Sequence, residues 1–495
     1  MSTSLDSTDR MTGRAWGVLL VLSGALFLEG IDVSMTGVAL PSIRAELGLS
    51  TAGLQWVVSA YVLGYGGFVL LGGLAADLLG RRRMFLIWLV VFIAFSGLGG
   101  FATTGWVLIL TRFVTGVAAG FMTPAGLSII TTTYAEGRRR NKALLIYSGT
   151  GAGGFALGLV IGGLLTGISW RWVFLAPVLM ATVILVVAIR LIPREHRPER
   201  RSGRFDLIGA ATLTSSMFVL VLAIVRAPDA ALGWTGAVFA AGVALMVVFV
   251  AIERRSPAPL IRLGILSSVV LVRANASAML VLGAFLGFQF IVVLYLQELR
   301  GWSGIETSLA LLATGIEAVL APTLTPWLVN RFGVHRVAVA GLALLAVGYA
   351  LFLPVRSDWD YVAMFPSFVV LGVAFALAFG PLTISATDGV AEEEQGLASG
   401  ILTMSFQFGG ALGLSVVTAV VVAATGSGGS PAAQLEGYRT ALVVPLVAAL
   451  LSAIIMASGL GRCSRSRVPS MCATRLPSVG PLALQPLPRD GQQGR

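Results

Sequence analysis

Residues 28–41 read LEGIDVSMTGVALP and set two acids, Glu29 and Asp32, inside an apolar run that begins at Trp16. A charged carboxyl near the centre of a bilayer costs at least ~2.5 kcal/mol, so such groups face a bundle interior or a water-filled path and mark ion or proton routes. The i, i+3 spacing puts both acids on one helical face, and Thr36 extends that face by another turn. The stretch therefore reads as the start of a transport pathway, with the other spans as its scaffold.

The rest of the chain has the same character. Its 495 residues are 56% hydrophobic and only 12% charged, whereas soluble domains carry about 25% charged residues. Mean hydropathy is +0.90. About 14 runs of roughly 20 apolar residues lie between Trp16 and Leu460, each long enough to span a bilayer. This predicts an all-α, multi-pass membrane protein with little chain left for a soluble domain. The first span is too long, and too interrupted by acids, for a cleaved signal peptide.

The formal charge of +11 does not indicate a nucleic-acid partner, because the basic residues occupy short loops. Clusters at Arg81 to Arg83, at Arg138 to Arg140 with Lys142, and from Arg190 to Arg204 alternate with loops holding single arginines such as Arg44, Arg171 and Arg300. By the positive-inside rule, both termini are expected in the cytoplasm and the protein in the cell (plasma) membrane. The only cysteines, Cys463 and Cys472, lie near the C-terminus, so no disulfide framework crosses the spans. His196 and His335 stand apart in basic loops and suggest no metal site.

The organisation expected is a cytoplasmic N-terminus (1–15), a six-helix bundle (16–192), a charged linker (193–206), an inserted two-helix hairpin (207–252), a second six-helix bundle (253–460) and a disordered basic cytoplasmic tail (461–495). Two bundles around a midplane site are a common transporter plan.

Several motifs carry chemistry. The run GGLAADLLGRRR, residues 72–83, ends a span in Asp77 and passes through a tight glycine turn into three arginines. It resembles the loop signature of the major facilitator superfamily, with Gly73, Asp77, Gly80, Arg81 and Arg82 in register and Leu78 where the family usually has Arg. The resemblance implies a gating loop, since a charge pair formed in one conformation only can bias a two-state gate. Arg112, within LILTRFVTGVAAG, is as demanding in a span as the acids, and Gly116 and Gly120 share its face. This is similar to the superfamily's fourth-helix motif, with Thr115 in the Gln position, which implies a part for Arg112 in proton transfer.

Gly154, Gly158 and Gly162 form a stripe at i, i+4 and i+8, first of all a packing surface. With Gly163 they also resemble the superfamily's antiporter motif, although Leu159 stands in place of its proline. Asp32 with Val38 to Pro41, Trp170 to Trp172, Phe205 with Asp206 and Gly209, and GLASG at 396–400 are similar to features of the 14-span drug/proton antiporters. Ser34 and Gly37 replace that pattern's Thr and Asn. The resemblance covers most of residues 16–460 and implies the superfamily fold: two six-helix bundles plus an inserted hairpin, 14 transmembrane helices in all.

Glu317 is singled out by burial alone. It falls mid-span with Pro322 and Pro326 following, and each proline frees a carbonyl four residues back. It reads either as part of a cavity wall or as the partner of an arginine. Trp56, Tyr61, Phe288, Gln289 and Gln407 could shape an apolar pocket with a few polar handles.

The expected function is proton-coupled export of a lipophilic, drug-like or natural-product molecule by alternating access, with Asp32, Glu29, Arg112 and Glu317 as coupling or substrate residues. A proton gradient would be the energy source and no cofactor is expected; the one lysine, Lys142, sits in no phosphate-binding loop. Partners expected are the small molecule, protons and membrane lipids, with a monomeric protein. Asp32→Asn and Arg112→Ala are expected to fold normally and to lose proton-driven efflux. The alternative is uptake of a small nutrient by proton symport. No nucleophile–base pair or soluble domain suggests an enzyme.

Overall fold

In the computed structural model the described residues are 12–134, 138–193, 206–227, 230–256, 259, 261, 263–388, 390, 394–425 and 430–459. The expectations for Phe205, for nearly all of the linker and for the tail from 461 fall outside them. Fifteen α-helices run through these residues. The first six are α1 Gly13–Leu47, α2 Thr51–Leu79, α3 Arg81–Gly100, α4 Gly105–Thr133, α5 Arg138–Ile168 and α6 Trp172–Leu191. A hairpin follows, α7 Leu207–Arg226 and α8 Leu232–Arg255. The remainder are α9 Val269–Leu294, α10 Gly304–Leu311, α11 Glu317–Phe332, α12 Val334–Phe352, α13 Tyr361–Thr387, α14 Gln395–Thr425 and α15 Pro431–Ala457. Among the described residues they supply 14 segments long and apolar enough to cross a membrane, with α10 and α11 sharing one.

Local sequence sets the helix ends. Thr12, Ser50, Ser268 and Ser430 each accept a first-turn backbone N–H at their N-caps, and Ser303 with Glu306 forms a reciprocal capping box. Gly80, the single residue between α2 and α3, has φ 97°, and Gly333 does the same between α11 and α12 with φ 86°. A side chain at either position would be strained, so each turn requires glycine. The two turns occupy matching places in the two halves. Asn330 stands where the first copy has Asp77, and Arg331 where it has Leu78.

The tenth span departs from the sequence expectation of one continuous helix. It breaks into a 3-10 stretch at Leu312–Ile316, and α11 restarts at Glu317. The prolines lie after the break, inside α11. Near Pro322 and Pro326, the Thr325 hydroxyl reaches across to the Ala376 carbonyl at 3.1 Å.

Close helix contacts are made through glycine. In the first bundle, a side-chain carbon at Gly154 or Gly162 would lie 3.0 Å from Phe27 Cα or 2.8 Å from Met35 Cα. The α5 stripe therefore seats directly on the α1 backbone. α2 and α4 approach likewise: a carbon at Gly72 would stand 2.7 Å from Phe121 Cα and one at Gly120 2.9 Å from the Tyr65 carbonyl. In the second bundle Gly283 and Gly413 bring α9 and α14 together. Small-residue seams of this kind let helices pack where lipid supplies no hydrophobic drive.

Between the bundles, α2 and α14 pack along much of their length, with Gly66 against Gln407 and Leu70 against Gly400, and a further set of contacts lies on the face opposite the basic loops. There Arg44 meets Glu298 at 2.8 Å, and Gln297 donates to the Val38 carbonyl at 3.0 Å. Gly163 of α5 abuts α10, where a carbon would lie 2.8 Å from the Gly304 carbonyl and 2.9 Å from Ile305 Cα. Buried Gln55 of α2 donates to Ser415 of α14 at 3.0 Å. These contacts hold that face closed. α7 packs against both α2 and α14, and so touches both bundles, while α8 packs mainly on α7. Large apolar side chains such as Leu179, Val183 and Ile454 remain exposed on the outer helix faces, the band a bilayer would cover.

Candidate functional site

The polar core of the first bundle is built on α1, α2, α4 and α5. Asp32 and Arg112 meet there, with Arg112 Nη1 2.5 Å from Asp32 Oδ2 and exposures of 0% and 2%. Arg112 Nε also donates to the Val57 carbonyl at 3.4 Å, and the guanidinium lies 4.5 Å from the centre of the Tyr61 ring. The glycines explain how α4 comes near enough. A side-chain carbon at Gly116 would lie 2.9 Å from Tyr61 Cα. Thr36 and Thr115 return their hydroxyls to the Asp32 and Arg112 carbonyls at 2.7 and 2.9 Å, and thus lie alongside the pair without joining it.

Glu29, one turn along the same face, is not part of that pair. Thr123 of α4 donates to its Oε1, and the Tyr65 hydroxyl of α2 bonds to the same carboxyl. Tyr147 of α5 donates to the Thr123 carbonyl at 3.5 Å. The two acids thus share a face, as their spacing requires, but sit in different surroundings. The Thr123, Tyr65 and Tyr147 cage was not read from the sequence. Its only signal is hydroxyls at single positions of otherwise apolar turns.

Burial of both partners alters one expectation. Removing either member of a sealed ion pair leaves a desolvated charge without compensation, so Asp32→Asn and Arg112→Ala are expected to lose stability as well as proton-driven efflux.

Glu317 opens α11 and is half-buried, with no arginine in salt-bridge range among the described residues. Asp77 is half-exposed and pairs with Arg81 at 3.3 Å within the loop. Arg82 donates to the Ile189 carbonyl at 2.8 Å and ties the loop to the end of α6, while Gly73 faces Pro124. Gly158 faces Ser34 and Ile31 of α1, whereas Gly163 turns to the second bundle. Phe288 is core, ringed by Tyr349, Phe352 and Phe368. Tyr61 is buried over Arg112, Trp56 packs at a tilt against Phe218 of α7, and Gln289 and Gln407 are half-buried where the bundles meet.

Two further clusters rest on residues of the Trp170 to Trp172 and Asp206 motifs. Glu46 accepts from the Trp170 indole at 2.7 Å and pairs with Arg171 at 2.5 Å, while Arg171 also donates to the Gly100 and Ala102 carbonyls. This clamps α1 to the α3–α4 and α5–α6 connections. Asp206 caps α7 by accepting from the Gly209 N–H at 2.6 Å, and a carbon at Gly209 would collide with that carboxyl, so the spacing of the two is fixed.

A sequence model of the Major Facilitator Superfamily matches residues 22–414 and, in a second match, 274–470. The chain is 32% identical over 466 residues to the puromycin resistance protein of Streptomyces alboniger, covering 89% of this chain and 90% of that one. It is 33% identical over 452 residues to the cephamycin export protein of Amycolatopsis lactamdurans, covering 90% and 92%. A multidrug efflux pump of Mycolicibacterium smegmatis is 29% identical over 430 residues, covering 86% and 84%. Among solved structures, a bacterial homologue of the human lysosomal transporter Spinster superposes with a TM-score of 0.68 at 16% identity, covering 91% of this chain and 98% of that chain. At that identity the likeness speaks to fold alone.

Proposed function

The chain belongs to the Major Facilitator Superfamily, and from that premise we propose that it exports drug-like or antibiotic small molecules across the plasma membrane in exchange for protons. The observation that carries the direction is similarity, over about nine-tenths of the chain, to proteins of antibiotic resistance and export. Alternating access follows from the architecture: two bundles closed against each other on one face rock around a midplane site. In this reading the basic face, with both termini, is cytoplasmic. The protein acts as a monomer among membrane lipids, with no cofactor and no enzymatic step, and the proton gradient drives transport.

Asp32, Glu29 and Arg112 form the coupling core in the first bundle, and Glu317 serves a cationic substrate from the second. Everted vesicles test the direction. An inside-acid gradient should drive accumulation of ethidium or puromycin, and a protonophore should abolish it. Accumulation only under the opposite gradient would make the protein an uptake symporter. Glu317→Gln should cut resistance to cationic compounds by roughly tenfold and spare neutral ones, as loss of about 1.4 kcal/mol of charge recognition implies. An unchanged resistance profile would make Glu317 structural.

A further inference from the structure

We propose that Glu29, not Asp32, is the carboxyl that takes up and releases the transported proton, while the Asp32–Arg112 pair stays ionised and fixes α1 to α4. The proposal rests on the exporter reading and divides the roles within it.

The two acids differ in what faces them. Asp32 has Arg112 at 2.5 Å and is sealed from solvent. A proton on Asp32 would leave the guanidinium, itself buried, without its counter-charge, and an uncompensated buried charge is strongly unfavourable. Among the described residues Arg112 has no second acid in salt-bridge range to turn to. The Tyr61 ring and the Val57 carbonyl also hold it where it is.

Around Glu29 stand Asp32 from α1, Tyr61 and Tyr65 from α2, Thr123 from α4 and Tyr147 from α5. No arginine, lysine or histidine among the described residues pairs with it. Hydroxyls donate and accept equally well, so this cage can bond to either the acid or its anion by rotation of O–H groups. Protonation there strands no partner charge.

Access differs as well. Glu29 keeps 6% of its surface and its partner Thr123 is half-buried, whereas Asp32 is fully covered. A proton arriving from outside adds to the Glu29 carboxylate as O–H and later leaves toward the basic face. No other bond is made or broken.

Infrared spectroscopy of the purified full-length protein tests this without any substrate, so its failure would leave the exporter reading untouched. A protonated carboxyl gives a C=O band that titrates with pH. The band should shift when the protein is made with side-chain 13C-labelled glutamate and stay put with labelled aspartate. It should persist in Glu317→Gln and vanish in Glu29→Gln. Glu29→Asp, a milder change should the glutamine variant fold poorly, should move the band to the aspartate label. A band that follows aspartate in the native chain, or that survives at the glutamate position in both Glu29 variants, overturns the proposal.

Discussion

Asp32→Asn should destabilise the folded protein by about 3–5 kcal/mol, visible as a sharply lowered unfolding temperature and poor monodispersity in detergent. The reason is the sealed Arg112 guanidinium, which would lose its only ionic partner among the described residues. Asp32→Asn combined with Arg112→Gln removes both charges and should recover most of that loss, since replacing a whole buried pair by neutral groups is often close to neutral. A single variant that melts like the native protein would mean that water or another anion reaches Arg112. The role given to the pair would then fall.

Gly163→Val should disfavour closure of the face opposite the basic loops, the outer face in the proposed orientation. A carbon at this position meets α10 backbone, the Gly304 carbonyl and Ile305 Cα, which cannot swing aside as a flexible side chain would. Overpacking of this kind costs about 1–3 kcal/mol. At 2 kcal/mol the balance between closed and open outer faces moves about 30-fold, and transport that depends on visiting both should fall by more than tenfold. Arg44→Ala is the informative contrast. The Arg44–Glu298 pair is more visible but partly exposed, and pairs of that kind contribute less than about 1 kcal/mol, so the shift should stay within about fivefold. Pulsed-EPR distances between spin labels at exposed Ile168 and Leu309 would read the outer opening. Equal distance distributions for Gly163→Val and the native protein would sink the argument.

The fold could be read from the sequence largely because a bilayer imposes a length and a polarity on every span. The helices nonetheless outrun the apolar runs: α1 extends over Gly13–Leu47, starting before the apolar run that begins at Trp16 and continuing through Arg44 and Glu46. Backbone hydrogen bonding continues past the hydrocarbon edge with polar residues on the outside, so hydropathy underestimates helix ends. Asp32, Glu29 and Arg112 could each be found from the cost of burying charge. Which acid pairs with the arginine could not, because Glu29 and Asp32 are one turn apart and only the approach of α4 through Gly116 and Gly120 decides. The break at Leu312–Ile316 was also hidden. Two prolines downstream drew attention to α11, while the irregular turn before them contains no proline to announce it.

The position of α7 has a consequence for the molecule's flanks. By resting on α2 and α14, the hairpin shutters one of the two lateral seams where the bundles meet, and the α5–α10 seam carries no such cover among the described residues. The protein is therefore lopsided toward its surroundings. A solute dissolved among acyl chains finds a screened side and a bare one, and any sideways route between the bundles favours the bare side.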